Sequence, residues 1–144
     1  MFADFLRRLT APQPGQLGDE DARLALAALL VRVARSDHDY AQVEIDRIDR
    51  ILSTRYDLSP FEAAALRQEA ETLEAEAPDT VRFTRAIKDA VPHEDRLAVL
   101  TALWQVVLAD GSRDMHEDTL LRVVANLLGI SDRDSAVARQ RAGG

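Results

Sequence analysis

Two pairs of acidic residues repeat in the chain at the same spacing. Asp37 is followed seven residues later by Glu44, and Asp110 is followed seven residues later by Glu117. In each pair the Asp ends one apolar helical run and the Glu lies in the first turn of the next. Hard divalent cations prefer oxygen ligands, so these four carboxylates form the candidate metal site.

The neighbouring side chains add to this metal hypothesis. If the two halves of the chain pack symmetrically, the four carboxylates converge and repel one another. A divalent cation such as calcium would relieve that repulsion, and four more side chains offer additional ligands: His38, Asp39, Asp114 and His116. The pattern predicts a metal site without naming the ion.

Helix capping is the alternative explanation of the same residues. An Asp at a helix exit can hydrogen-bond loop amides, and a Glu in a first turn can satisfy free backbone N–H groups. Capping needs no metal, but it does not explain why the seven-residue spacing occurs twice. Both explanations stay open at this point.

We call the segments between the paired acids the first corner (residues 37–44) and the second corner (residues 110–117). The corners match no established metal or catalytic motif. In an EF-hand loop that starts at Asp110, Met115 stands where Gly is needed and Leu121 where Glu is needed. A zincin helix that starts at His116 would need a second His at the position of Leu120. P-loop, dinucleotide-binding and nucleophile-elbow patterns are also missing, so these motifs indicate no reaction.

Composition limits the classes of function. The 144 residues contain no Cys, which excludes disulfides, Cys-ligated zinc and thiol catalysis. The net charge of −7 argues against a general nucleic-acid binder. Every basic residue except Lys88 is Arg, but these arginines are scattered, so we attribute them to genome composition rather than to phosphate recognition. With no secretory signal and no membrane-spanning run, we expect a cytoplasmic protein.

Hydrophobic spacing of three and four residues predicts an all-α fold, since no window alternates with a period of two. A shift of 73 positions superimposes Arg23 on Arg96 and Leu30 on Leu103 as well as the acidic pairs. We therefore predict a single-domain bundle of about seven or eight helices. It would be built from two pseudo-symmetric helix-corner-helix repeats, about 18–77 and 79–141.

Three further segments carry specific expectations. Residues 1–14 form a short amphipathic helix and linker, which we expect to dock on the core or on a partner, with membrane anchoring as the alternative. Trp104 lies among apolar residues of the helix before the second corner and is expected in the core. The tail from Arg139 onward is expected to fray.

The second corner resembles the tellurite-resistance TerB-like family. The resemblance is carried by Ala109-Asp110-Gly111 through Glu117 and then by Leu127-Leu128-Gly129-Ile130-Ser131. It extends from about Gly18 to Ser131, within a TerB-like helical domain of residues 18–141. The first corner departs from the pattern, because Ser36-Asp37-His38 replaces Ala-Asp-Gly.

This resemblance implies a compact, helical, bacterial and cytoplasmic module. Such domains are associated with tellurite and other stress responses that involve metal ions and the inner membrane face, and one occurs in a membrane-anchored J-domain co-chaperone. No catalytic activity is established for the fold, so we expect a protein that is not an enzyme. We expect a divalent cation or a protein partner, or both, with peripheral association with the inner membrane face.

The metal positions that the resemblance carries over are Asp37, Glu44, Asp110 and Glu117. Two alternatives remain. One is a pure protein-interaction domain, co-chaperone-like, whose acids only cap helices. The other, less favoured, is a metal-dependent enzyme that uses the acidic cluster.

Overall fold

The fold consists of helices alone in the part of the chain that the structure describes. The computed structural model describes residues 19–36, 40–76, 81–109 and 115–143, and these contain seven helices and no strand. In chain order the helices are α1 (Asp19–Arg35), α2 (Gln42–Tyr56), α3 (Pro60–Glu76), α4 (Val81–Ala90), α5 (His93–Val107), α6 (Met115–Leu127) and α7 (Asp132–Arg141). The all-α prediction is confirmed, whereas the predicted helix within residues 1–14 lies outside the described residues.

Helix α1 is the centre of the bundle. It packs against α3, α4 and α5 most extensively and also contacts α2 and α6. Every residue from Ala25 to Val31 is buried, so this part of the helix has no face open to solvent. A helix that is apolar on all sides is stable only when neighbours surround it. Five packed neighbours provide that environment.

Helix α5 supplies the other large part of the core. Val99, Leu100 and Leu103 are fully buried, and Trp104 is 6% exposed, as predicted. The α5 helix also packs against α7. There the Arg139 guanidinium lies 5.9 Å from the centre of the Trp104 ring.

The segment that was predicted to fray begins inside a helix. Helix α7 continues to Arg141, and Ala138 is completely buried. The packing of α7 against α5 stabilises this end of the chain. Sequence position alone is a poor guide to fraying, because burial decides it.

The junction between α2 and α3 is built like the junction between α6 and α7. Asp57 and Gly129 each adopt a left-handed conformation after their helix, with φ values of 54° and 74°. The N–H of the following residue then bonds a carbonyl five positions earlier, at 3.0 Å for Leu58 and 2.8 Å for Ile130. This is the hydrogen bond of a Schellman motif, which ends a helix cleanly.

A serine starts the next helix at both junctions. The Ser59 hydroxyl accepts the Glu62 N–H at 3.1 Å, and the Ser131 hydroxyl accepts the Asp134 N–H at 3.1 Å. Serine is one of the residues preferred at this position, because its hydroxyl can accept a free N–H of the first turn. The likeness is local, and the pseudo-twofold packing of complete repeats stays a prediction.

Arg96 joins three helices near the start of α5. Its guanidinium donates to the carbonyls of Lys88 and Val91 at the end of α4, at 3.1 and 3.0 Å. It also donates to the Leu128 carbonyl after α6 at 3.4 Å. Carbonyls at a helix C-terminus lack intrahelical partners, so Arg96 satisfies the ends of two helices at once.

Candidate functional site

The structure describes only some of the predicted metal ligands. Asp37 and Asp110 lie outside the described residues. Glu117 belongs to the first turn of α6, as predicted, but its side chain is not among those described. Glu44 alone has a described side-chain environment, so convergence of the four carboxylates stays a prediction.

Glu44 is a buried carboxylate at the first corner. It occupies the third position of α2, and its side chain is 1% exposed. Its Oε1 atom accepts the backbone N–H of Ala41, the residue before the helix, at 3.2 Å. The negative charge also lies at the positive end of the helix dipole, which favours it. Glu44 therefore caps α2, as the capping explanation requires.

The cap at Glu44 is only half of a capping box. Ala41 has no side-chain acceptor, so the reciprocal bond that Ser59 accepts from the Glu62 N–H has no equivalent here. Glu62 itself is exposed and accepts the Ser59 N–H at 3.0 Å. That contact, followed by the hydroxyl of the same serine, lowers the pKa of Glu62. The two glutamates share a position in their helices but differ completely in burial.

A network of hydrogen bonds and ion pairs lies beside the first corner, around Tyr40 and Glu71. The Tyr40 hydroxyl donates to Glu71 Oε2 at 2.7 Å, and the Arg35 guanidinium lies 5.0 Å from the centre of the Tyr40 ring. Arg67 donates to Asp49 at 2.6 Å and to Glu71 at 3.1 Å. Residues of α1, α2 and α3 are thereby tied to the segment that enters α2.

The acidic face of α3 is only partly solvated. Glu69 and Glu76 are exposed. Glu74, in contrast, forms ion pairs with Arg32 and Arg35 at 3.7 and 3.3 Å. The inner acids of this run therefore bind the domain's own arginines.

An arginine-lined groove lies between α2 and α5. It has a volume of about 520 Å³ and is open to solvent. Four arginines line it: Arg47, Arg50 and Arg55 of α2 and Arg141 of α7. Ile51, Ala98 and Ala102 also line the groove, together with the polar side chains Thr54, Thr101 and Gln105. We call this feature the arginine groove.

The arginine groove was not predicted, because the arginines are scattered along the sequence. A local signal did exist, since Arg47, Ile51 and Arg55 recur at four-residue spacing and share one helical face. Nothing in the sequence indicated that Arg141 would join them. Its position follows from the packing of α7 on α5.

Comparison with family models matches residues 23–140 to the family described as tellurite resistance protein TerB. The chain belongs to the TerB family. Comparison with curated proteins and with solved structures gives no significant match. The TerB match spans both acidic corners and confirms the resemblance inferred from the second one.

Two negative findings apply to the described part of this TerB-family chain. Its described side chains contain no group of three or more His, Asp or Glu residues that could hold a metal ion. Three of the four predicted ligands fall outside that set, so the metal hypothesis is untested by this finding. None of the helices described is both long and apolar enough to cross a membrane.

Proposed function

We propose that this TerB-family protein is a non-enzymatic binding module of a bacterial tellurite or stress response. In this proposal the two corners hold a divalent cation through Asp37, Glu44, Asp110 and Glu117. The domain works in the cytoplasm, binds a protein partner and associates peripherally with the inner membrane face. Family membership supports the connection with tellurite resistance.

The burial of Glu44 is the observation that favours a cation. Removing a carboxylate from water is unfavourable unless hydrogen bonds or a positive charge compensate for the loss of hydration. Glu44 is 1% exposed although its acidic counterpart Glu62 performs the same capping role in solvent. Capping alone does not require burial. A carboxylate offers about four lone-pair sites, so the hydrogen bond from Ala41 does not exclude cation binding at Glu44.

A pure interaction domain is the second candidate function. The hydrogen bond between Glu44 Oε1 and the Ala41 N–H favours it, because this contact gives the acid a structural role without a metal. In that case the corner acids only stabilise helix ends. The two candidates differ in their response to ions.

Metal analysis combined with paired variants separates these functions. Protein purified without chelator should contain a stoichiometric divalent cation. Asp110→Asn with Glu117→Gln keeps the side-chain shapes and removes two charges, so it should abolish ion binding. The same change at Asp37 and Glu44 should reduce binding less, because only the second corner has the Asp-Gly turn.

Glu62→Gln provides the matched control. It makes the same chemical change at the same helix position, but in an exposed cap away from the corners. Ion binding should be unchanged in this variant. If wild type and all three variants contain no divalent cation and bind none on titration, the interaction-domain function replaces the cation module.

A further inference from the structure

The arginine groove concentrates positive charge on an acidic protein. The chain has 25 acidic and 18 basic residues, yet none of the described residues that line the groove is acidic. Four arginines from two helices line the same space. The local potential therefore has the opposite sign to the net charge and attracts anionic groups.

These arginines differ from three other arginines that pack between helices. Arg35 and Arg67 form ion pairs, and Arg96 satisfies helix-terminal carbonyls. Within the described ranges, by contrast, the four groove arginines form no ion pair and no side-chain hydrogen bond. Arg55 contacts the Tyr56 ring at 5.8 Å, which leaves its N–H donors in place. The donors of all four remain available to a ligand.

The shape of the groove suits a segment of polypeptide. Its α2 wall extends from Arg47 to Arg55, which is about 12 Å or two helical turns. Ala98 and Ala102 are small, so they leave room for an apolar side chain beside Ile51. Arginine forks match carboxylates in a planar, bidentate geometry. Apolar anchors one turn apart are how a helix binds in a groove.

We propose that the arginine groove binds an acidic amphipathic segment of a protein partner. An apolar side chain of the partner lies on Ile51, Ala98 and Ala102, and the flanking carboxylates bind the arginines. A nucleic acid fits less well, because the net charge of −7 repels a long polyanion. This inference rests on the proposed partner-binding function and is independent of the cation at the corners.

A designed peptide probe tests the groove directly. The probe is a labelled peptide of about 16 residues, with leucines one turn apart and glutamates beside them. Its control replaces each Glu with Gln and keeps the leucines. Fluorescence anisotropy should show that wild type binds the Glu peptide at least about tenfold more tightly, since charge-assisted bonds are lost in the control. Raising the salt concentration should weaken this binding.

Matched variants locate the binding surface. Arg50→Glu with Arg141→Glu reverses charge on two sides of the groove and should reduce affinity about tenfold or more. Arg85→Glu with Arg133→Glu makes the same charge change at exposed sites outside the groove and should change affinity less than about twofold. Ala98→Phe fills the groove without a change of charge and should also weaken binding. Circular dichroism and melting temperature confirm that each variant is folded.

Several outcomes would overturn the proposal. Equal affinity for the Glu and Gln peptides would remove the role of the arginines. Equal losses in the groove and control pairs, or no effect of Ala98→Phe, would show non-specific attraction. If the protein does not bind the Glu peptide but binds phosphatidylglycerol vesicles through Arg50 and Arg141, the groove is a membrane-binding site instead. The effect of cations on the melting temperature should be the same in wild type and in Arg50→Glu with Arg141→Glu. The cation proposal is therefore tested independently of the groove proposal.

Discussion

Glu44 Oε1 accepts the backbone N–H of Ala41 at 3.2 Å, which closes the start of α2 at the first acidic corner. Glu62 makes the equivalent contact with Ser59 at 3.0 Å at the start of α3. One contact is buried and the other is exposed. The chain therefore contains an internal comparison between a buried and a solvated cap of the same type.

Replacing each glutamate with Ala should separate these two caps. Glu44→Ala should lower the free energy of unfolding by about 1.5–3 kcal/mol, because a buried hydrogen bond to a charged group is lost. Glu62→Ala should cost less, since water can replace its exposed contact. Chemical denaturation measures both values. Equal losses would show that burial adds nothing to the cap at Glu44.

The local features of the fold could be predicted because neighbouring residues determine them. Ser59 with Glu62 and Ser131 with Asp134 are caps within one helical turn. Gly129 can adopt a positive φ without the steric cost of a Cβ. These signals require no knowledge of tertiary packing. The structure has the helix caps and the positive φ at the residues whose types favour them.

Features that depend on tertiary packing could not be predicted in the same way. The burial of every α1 residue from Ala25 to Val31 follows from five neighbouring helices. The position of Arg141 beside the α2 arginines follows from the packing of α7 on α5. For the candidate metal site, the sequence supplies residue types and spacing, and only the environment of Glu44 is described.

Tyr40 should ionise only in strongly alkaline solution. Burial, followed by the hydrogen bond to the Glu71 carboxylate, raises its pKa above the ordinary 10.0. Because the folded value is the higher one, the stabilisation is complete below pH 10.0 and is lost as the pH rises through the folded pKa. Absorbance titration of wild type and Tyr40→Phe should therefore give the same phenolate signal near about pH 11. One additional phenolate in wild type at that pH would show that the pKa of Tyr40 is not raised.

Arg67 should be important for joining α2 to α3. Arg67→Ala should lower the free energy of unfolding by about 1–3 kcal/mol, because the partly buried carboxylates of Asp49 and Glu71 both lose a partner. Arg122→Ala, at an exposed position of α6, should stay within about 0.5 kcal/mol of wild type. Urea denaturation compares the two. Similar small effects would mean that the network contributes little to stability.

Trp104 should be a major contributor to the core. Its side chain is 6% exposed, and the Arg139 guanidinium of α7 lies 5.9 Å from the centre of its ring. Trp104→Ala should lower the free energy of unfolding by about 3–5 kcal/mol through lost burial and a cavity. The denaturant midpoint measures this loss. An unchanged midpoint would place the indole outside the cooperative core.

The cation proposal is tested most directly by the melting temperature of wild type in calcium, magnesium, manganese and zinc. A ligand that binds only the native state stabilises it by RT ln(1 + [L]/Kd), which is about 2.7 kcal/mol at a hundredfold excess over Kd. We predict that at least one ion raises the melting temperature in proportion to its concentration. We also predict that Asp110→Asn with Glu117→Gln abolishes this rise. A melting temperature that is unchanged in all four ions would contradict the cation site.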